Sequence, residues 1–112
     1  MNDSYVQRMA EIRQRFAIQL ESKIEQIECA TLRDGSGAFD AVALAHRQAH
    51  GLCGVGPTLG FVGTGRVARS IEQFLLAVVK AGRELTDDEV PWLRDGVALL
   101  RSTARAEIDS VH

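Results

Sequence analysis

Ala49-His50-Gly51-Leu52-Cys53-Gly54 lies on a stretch that reads as one amphipathic helix. Ala38, Val42, Ala45, Ala49 and Leu52 recur at intervals of three and four, the period of a single helical face. His46, Arg47, His50 and Cys53 fall on the flank of that stripe. A helix of this kind presents an imidazole outward rather than burying it. The spacing places the helix start near Ser36 to Ala38. Behind the histidine the glycines crowd together at Gly51, Gly54, Gly56 and Gly60, with Pro57 among them. A proline removes one helical hydrogen bond and its ring meets the carbonyl four residues back, here that of Cys53. The helix is therefore expected to kink or end between Val55 and Leu59.

Working outward, residues 4 to 30 form a longer pattern of the same type, with Met9, Ile12, Phe16, Leu20, Ile24 and Ile27 on one face. Leu32-Arg33-Asp34-Gly35-Ser36-Gly37 breaks it with glycines and turn formers, which predicts a loop. On the other side, Val67, Ile71, Phe74, Leu75 and Val78 mark a third helix over residues 65–81. Lys80, Gly82 and Arg83 suit its C-terminus. Thr86-Asp87-Asp88-Glu89 fits a capping box, although Pro91 close behind favours a start a few residues later. Val90, Leu93, Val97, Leu100, Ala104 and Ile108 then face inward on a last helix. No alternating strand pattern, repeat or low-complexity tract interrupts this order. Four amphipathic helices with short connections predict an all-α chain, folded as an antiparallel up-and-down four-helix bundle.

The 112 residues suffice for a single domain, 1–112, with one core. Hydrophobic residues make up 46% and charged residues 25%, which argues against disorder. A net charge of -2 gives no basic footprint for nucleic acid. No apolar run reaches the roughly 18 residues of a membrane span, and Met1-Asn2-Asp3-Ser4 carries no signal pattern. Cys29 and Cys53 are too few for a disulfide framework, and a reducing, cytoplasmic setting is expected.

The stretch around His50 resembles the active-site helix of histidine phosphotransfer (HPt) domains. Their pattern is roughly A-H-x-L-K-G, with a further glycine about ten residues after the histidine. His50, Leu52, Gly54 and Gly60 match it, and Cys53 stands where the family usually carries lysine. In motif the resemblance covers residues 49 to 75. It implies that His50 accepts a phosphoryl group and exchanges it with receiver-domain aspartates in a two-component phosphorelay. Response-regulator receivers and a histidine kinase are the implied partners. The chain would be a phosphocarrier rather than an enzyme with its own kinase machinery. It would need no cofactor, since magnesium belongs on the receiver.

The family's polar residue on the next helix, which accepts a hydrogen bond from ring nitrogen Nδ1, falls on Glu72 here. Such a bond fixes the tautomer and leaves Nε2 as nucleophile. An unperturbed histidine has a pKa of about 6.5, so a neutral ring is available near neutral pH. Gly54, one turn beyond His50, would keep the approach open; the competing explanation is close packing of a neighbouring helix. The family lysine supplies charge beside the phosphoryl group, which a thiol at Cys53 does not. Arg47, one turn before His50, and Arg69, one turn before Glu72, are the arginines placed to replace it.

Two other readings follow from the same residues. Without the lysine, the chain is a degenerate bundle that docks on receivers and carries no phosphate. Alternatively His46, His50 and Cys53, at i, i+4 and i+7, converge on a transition metal, with His112 or an acidic residue as a further ligand.

Overall fold

The three-and-four spacing becomes four α-helices in the computed structural model, which describes residues 2–32 and 38–110. They are α1 (Asn2–Glu28), α2 (Ala38–Val55), α3 (Val62–Ala81) and α4 (Glu89–Ser110), and no strand occurs among the described residues. Short 3-10 turns follow α1 at Cys29–Thr31 and α2 at Gly56–Leu59. The loop expected at 33–37 lies outside the described residues, as do the side chain of Ala38 and the whole of His112. No helix is long and apolar enough to cross a membrane.

The core is built from the expected stripes. Leu20, Ile24 and Ile27 of α1 meet Val42, Ala45, Ala49 and Leu52 of α2, Ile71, Leu75 and Val78 of α3, and Leu93, Val97 and Leu100 of α4, all buried. Burying each large aliphatic side chain contributes about 1.5–3 kcal/mol. Val67, Phe74 and Ile108, expected to face inward, pack on the core from its edge. Phe74 stacks on the half-exposed Trp92 with centroids 4.2 Å apart. Ile12 is a correction: it is 44% exposed. Phe16 is the first α1 residue on this stripe to be buried, with its ring 5.1 Å from that of Phe61. One turn earlier, Arg13 Nε donates to Leu59 O at 2.9 Å. Ile12 borders a shallow groove with Val55 and Leu59, while Met9, earlier in α1, still packs against the core.

α2 ends at Val55, inside the expected interval. Gly60 closes the following turn at φ +93°, a left-handed conformation that favours glycine. The ring of Pro57 lies on Gly65, where a Cβ would sit 2.6 Å from Pro57 Cγ. Glycine at 65 thus brings the turn down onto α3, and the two helices pack closely along their length.

α3 begins at Val62, three residues earlier than the spacing suggests. Its exposed amides are capped from α4. Gly63 N and Thr64 N donate to Glu107 Oε2 and Oε1 at 2.8 and 2.7 Å, and the buried Thr64 hydroxyl donates to Oε1 at 2.5 Å. At the start of α4 the capping box forms: Thr86 N donates to Glu89 Oε1 at 2.8 Å and Glu89 N to Thr86 Oγ1 at 3.3 Å. Pro91 is accommodated in the first turn that follows.

Candidate functional site: an imidazole, a thiol and a carboxylate on one hairpin

On α2, Ala49 and Leu52 are fully buried, so the helical rotation between residues swings His50 and Cys53 to the edge facing α3. On α3, Ile71 and Leu75 point into the core, and Glu72, next to Ile71, comes to the same edge. The packed hairpin therefore brings together three side chains from two helices.

His50 Nδ1 lies 2.5 Å from Glu72 Oε2. The imidazole is 72% exposed and the carboxylate side chain 19%. Burial alone would raise the Glu72 carboxyl. Hydrogen bonds from Cys53 and His50, with the nearby histidine charges, outweigh it and hold the group below its ordinary range. An ionised carboxylate only accepts, so the facing nitrogen carries the proton. Nδ1–H then donates to Glu72, and Nε2 takes no part in this bond.

Cys53 Sγ lies 3.2 Å from Glu72 Oε2 and also 3.2 Å from the carbonyl of His50. Burial, then the hydrogen bond and charge of Glu72, push the thiol above its ordinary range, against a lowering by Arg69. It stays protonated and is a second donor to the carboxylate. Position 53 thus supplies a buttress for Glu72 where a lysine would supply a cation.

Gly54 is exposed, and a Cβ built on it meets nothing within 4 Å. No neighbouring helix packs there, which removes the competing explanation for that glycine. Arg47 and Arg69 are both exposed on the same hairpin. The charge of Arg69 reaches Cys53, and the hydrogen bonds and ion pair that join His50, Cys53 and Glu72 include neither arginine.

His46 stacks on His50 with ring centroids 6.4 Å apart and 18° between planes. The expected grouping of His46, His50 and Cys53 is not the one that forms. Among the described residues, the metal-competent trio is His50, Cys53 and Glu72. Two roles were missed from sequence: Glu107 as a cap and Cys53 as a donor to Glu72. The first joins residues more than forty positions apart. The second depends on the α2–α3 register. The position of Cys53 one turn past His50 was the only local signal for it.

No family model, curated protein or solved structure matches the chain. The chemistry of the site rests on its own residues.

Proposed function

We propose that this chain is a histidine phosphotransfer module, with His50 Nε2 as the phosphoryl acceptor. The observation that carries this reading is the exposed imidazole whose Nδ1 proton is held by Glu72 at 2.5 Å. The Nε2 lone pair attacks the phosphorus of a receiver's aspartyl phosphate, or of a kinase phosphohistidine. The N–P bond forms as the bond to the donor breaks, and the donor carboxylate or imidazole departs. The phosphorylated ring keeps its Nδ1 proton and gains positive charge, which the Glu72 carboxylate balances. Transfer onward to another receiver aspartate reverses these steps. Positioning and charge stabilisation carry most of such a reaction, so little further machinery is required. Gly54 leaves room for the receiver's loops, and Arg47 and Arg69 are the cations available to the phosphoryl oxygens. Magnesium, where needed, sits on the receiver.

The reading includes the finer arrangement of the helices, an antiparallel up-and-down bundle in the cytoplasm. Its support is adjacency: α1 contacts α2 and α4, α3 contacts α2 and α4, and neither diagonal pair approaches among the described residues. One observation favours a second reading, docking on receivers without taking phosphate. Position 53 bears a neutral thiol turned to Glu72 instead of a cation.

Incubation with phosphorylated receivers separates the two. The expected result is an acid-labile, base-stable label on His50, abolished by His50→Gln with unchanged helical signal. Label on His46, or receiver binding with no label, would overturn the phosphotransfer reading.

A further inference from the structure

We propose that His50, Cys53 and Glu72 form a binding site for a divalent transition-metal ion of the zinc class, and that occupancy removes the His50 nucleophile. A ring nitrogen of His50, Cys53 Sγ and a Glu72 carboxylate oxygen all lie within 4.8 Å of one another, and Nδ1 is the nitrogen that faces Glu72. Ligand atoms on a tetrahedral zinc, bound at about 2.0–2.3 Å, stand roughly 3.5 Å apart. The Sγ–Oε2 separation of 3.2 Å is already close to that value. The Nδ1–Oε2 contact of 2.5 Å opens to it with a small outward turn of the Glu72 carboxylate.

The donor set selects the ion. One imidazole nitrogen, one thiolate and one carboxylate suit zinc, whereas magnesium and calcium take oxygen ligands. Three protein ligands leave a fourth position for water, and the exposed imidazole gives the ion a way in. Gly51 and Gly54 leave the space beside the ring open, with nothing within 4 Å of a Cβ at either position. The ligands stand on two helices joined by the tight Gly56–Leu59 turn, so their spacing is set by the packed hairpin.

The proton balance gives the consequence. Coordination takes the lone pair at Nδ1, so the proton there must leave. The ring stays neutral by carrying a proton at Nε2. Cys53 gives up its thiol proton to solvent, and one proton is released per ion bound. Nε2–H has no lone pair in the ring plane to offer phosphorus. The metal site stands apart from the phosphotransfer reading, and only its effect on labelling rests on that reading.

The test is a cobalt(II) titration of the full chain in a phosphine reductant, followed by zinc. One equivalent should bind with a thiolate-to-cobalt charge-transfer band that zinc displaces. Cys53→Ser should abolish the band, and His50→Gln or Glu72→Gln should weaken binding about tenfold or more. His46→Gln and Cys29→Ser should leave it unchanged. In nitrogen-15 spectra of the His50 ring, zinc should move the proton from Nδ1 to Nε2. No band, a band that survives Cys53→Ser, a band lost with Cys29→Ser, or an unmoved ring proton overturns the proposal. Zinc should also suppress receiver-driven labelling of the parent chain, and should not lower further the labelling that Cys53→Ser retains. If the metal-free chain takes no label, the phosphotransfer reading fails while the cobalt and nitrogen spectra still decide the metal site.

Discussion

Glu72 and Glu107 are both carboxylates that reach between two helices, and each collects several donors. Burial would raise both, and hydrogen bonds hold both below their ordinary range. The donors differ. Glu107 is taken up by two backbone amides and the buried Thr64 hydroxyl, groups with no further chemistry to offer. Glu72 is taken up by a half-buried thiol and an imidazole that stays 72% exposed. The same interaction makes a helix cap in one place and holds an exposed imidazole in the other. What separates them is the reach of the donor into solvent, not the state of the carboxylate.

The sharpest way to break this comparison is to delete each carboxylate in turn. Glu72→Ala should slow phosphoryl labelling of His50 by about 100-fold, as for loss of a group that sets a catalytic proton. Its effect on stability should stay within about 1 kcal/mol, because the pair is solvated on one side. Glu107→Ala should do the reverse. It strips the cap from Gly63 and Thr64 and leaves a buried hydroxyl unpaired, for a loss of about 1–3 kcal/mol in urea denaturation. Labelling per folded molecule should not change. If both variants lose stability and labelling together, the two carboxylates are one structural class and the distinction is void.

Gly54→Gln examines the open ground beside the ring. With nothing within 4 Å of a Cβ there, the substitution is not a packing defect. By helix propensity it should stabilise by up to about 1 kcal/mol. Labelling by receivers should still slow roughly tenfold or more, through displacement of the docked partner. Equal rates in the variant and the parent would discard the steric role.

The parts of the molecule that were legible in the sequence are those written in short-range spacing. Ala49 and Leu52 had to be buried, which put His50 on the rim. Thr86 and Glu89 announced a capping box four residues long, and its two bonds form even with Pro91 close behind. Pro57 and the glycines around it ended α2 where the sterics demand. Contacts between distant segments were not legible. Glu107 starts α3 at Val62 from the far end of α4, so the local pattern placed that start late. Ile12 fits its stripe by period but borders the shallow groove beside Val55 and Leu59 instead of the core. Cys53 was adjacent to His50 by spacing, yet its aim at Glu72 depends on how far α3 slides along α2.

Arg69 sharpens the comparison at the site itself. Its positive charge lowers the Cys53 thiol against burial and Glu72, which makes it the cation to test in place of a lysine at position 53. Arg69→Ala should slow labelling roughly tenfold, the value of one hydrogen bond to a charged group. Cys53→Lys in that background should recover part of the loss. No recovery would mean that no cation is needed there.

A third carboxylate, Glu89, lies between the two cases, and its effect should be the smallest. Its hydrogen bonds from Arg83, at 2.7 and 3.1 Å, come first among the causes that lower it to about 2; backbone and side-chain bonds from Thr86 add to them against burial. A carboxylate whose folded pKa is depressed stabilises the fold above its unfolded value, near 4.5, and loses that contribution as the pH falls toward 2. The guanidinium side chain is 40% exposed, so solvent screening cuts the contribution to about 1 kcal/mol. Glu89→Gln keeps an acceptor for the Thr86 amide and removes only the charge. The variant should be less stable than the parent by about 1 kcal/mol near neutral pH, and the gap should close through that acid window. A gap that stays constant down to low pH would assign the loss to the capping geometry rather than to the ion pair. Glu89 would then belong with Glu107, as a carboxylate whose work is done by its oxygens and not by its charge.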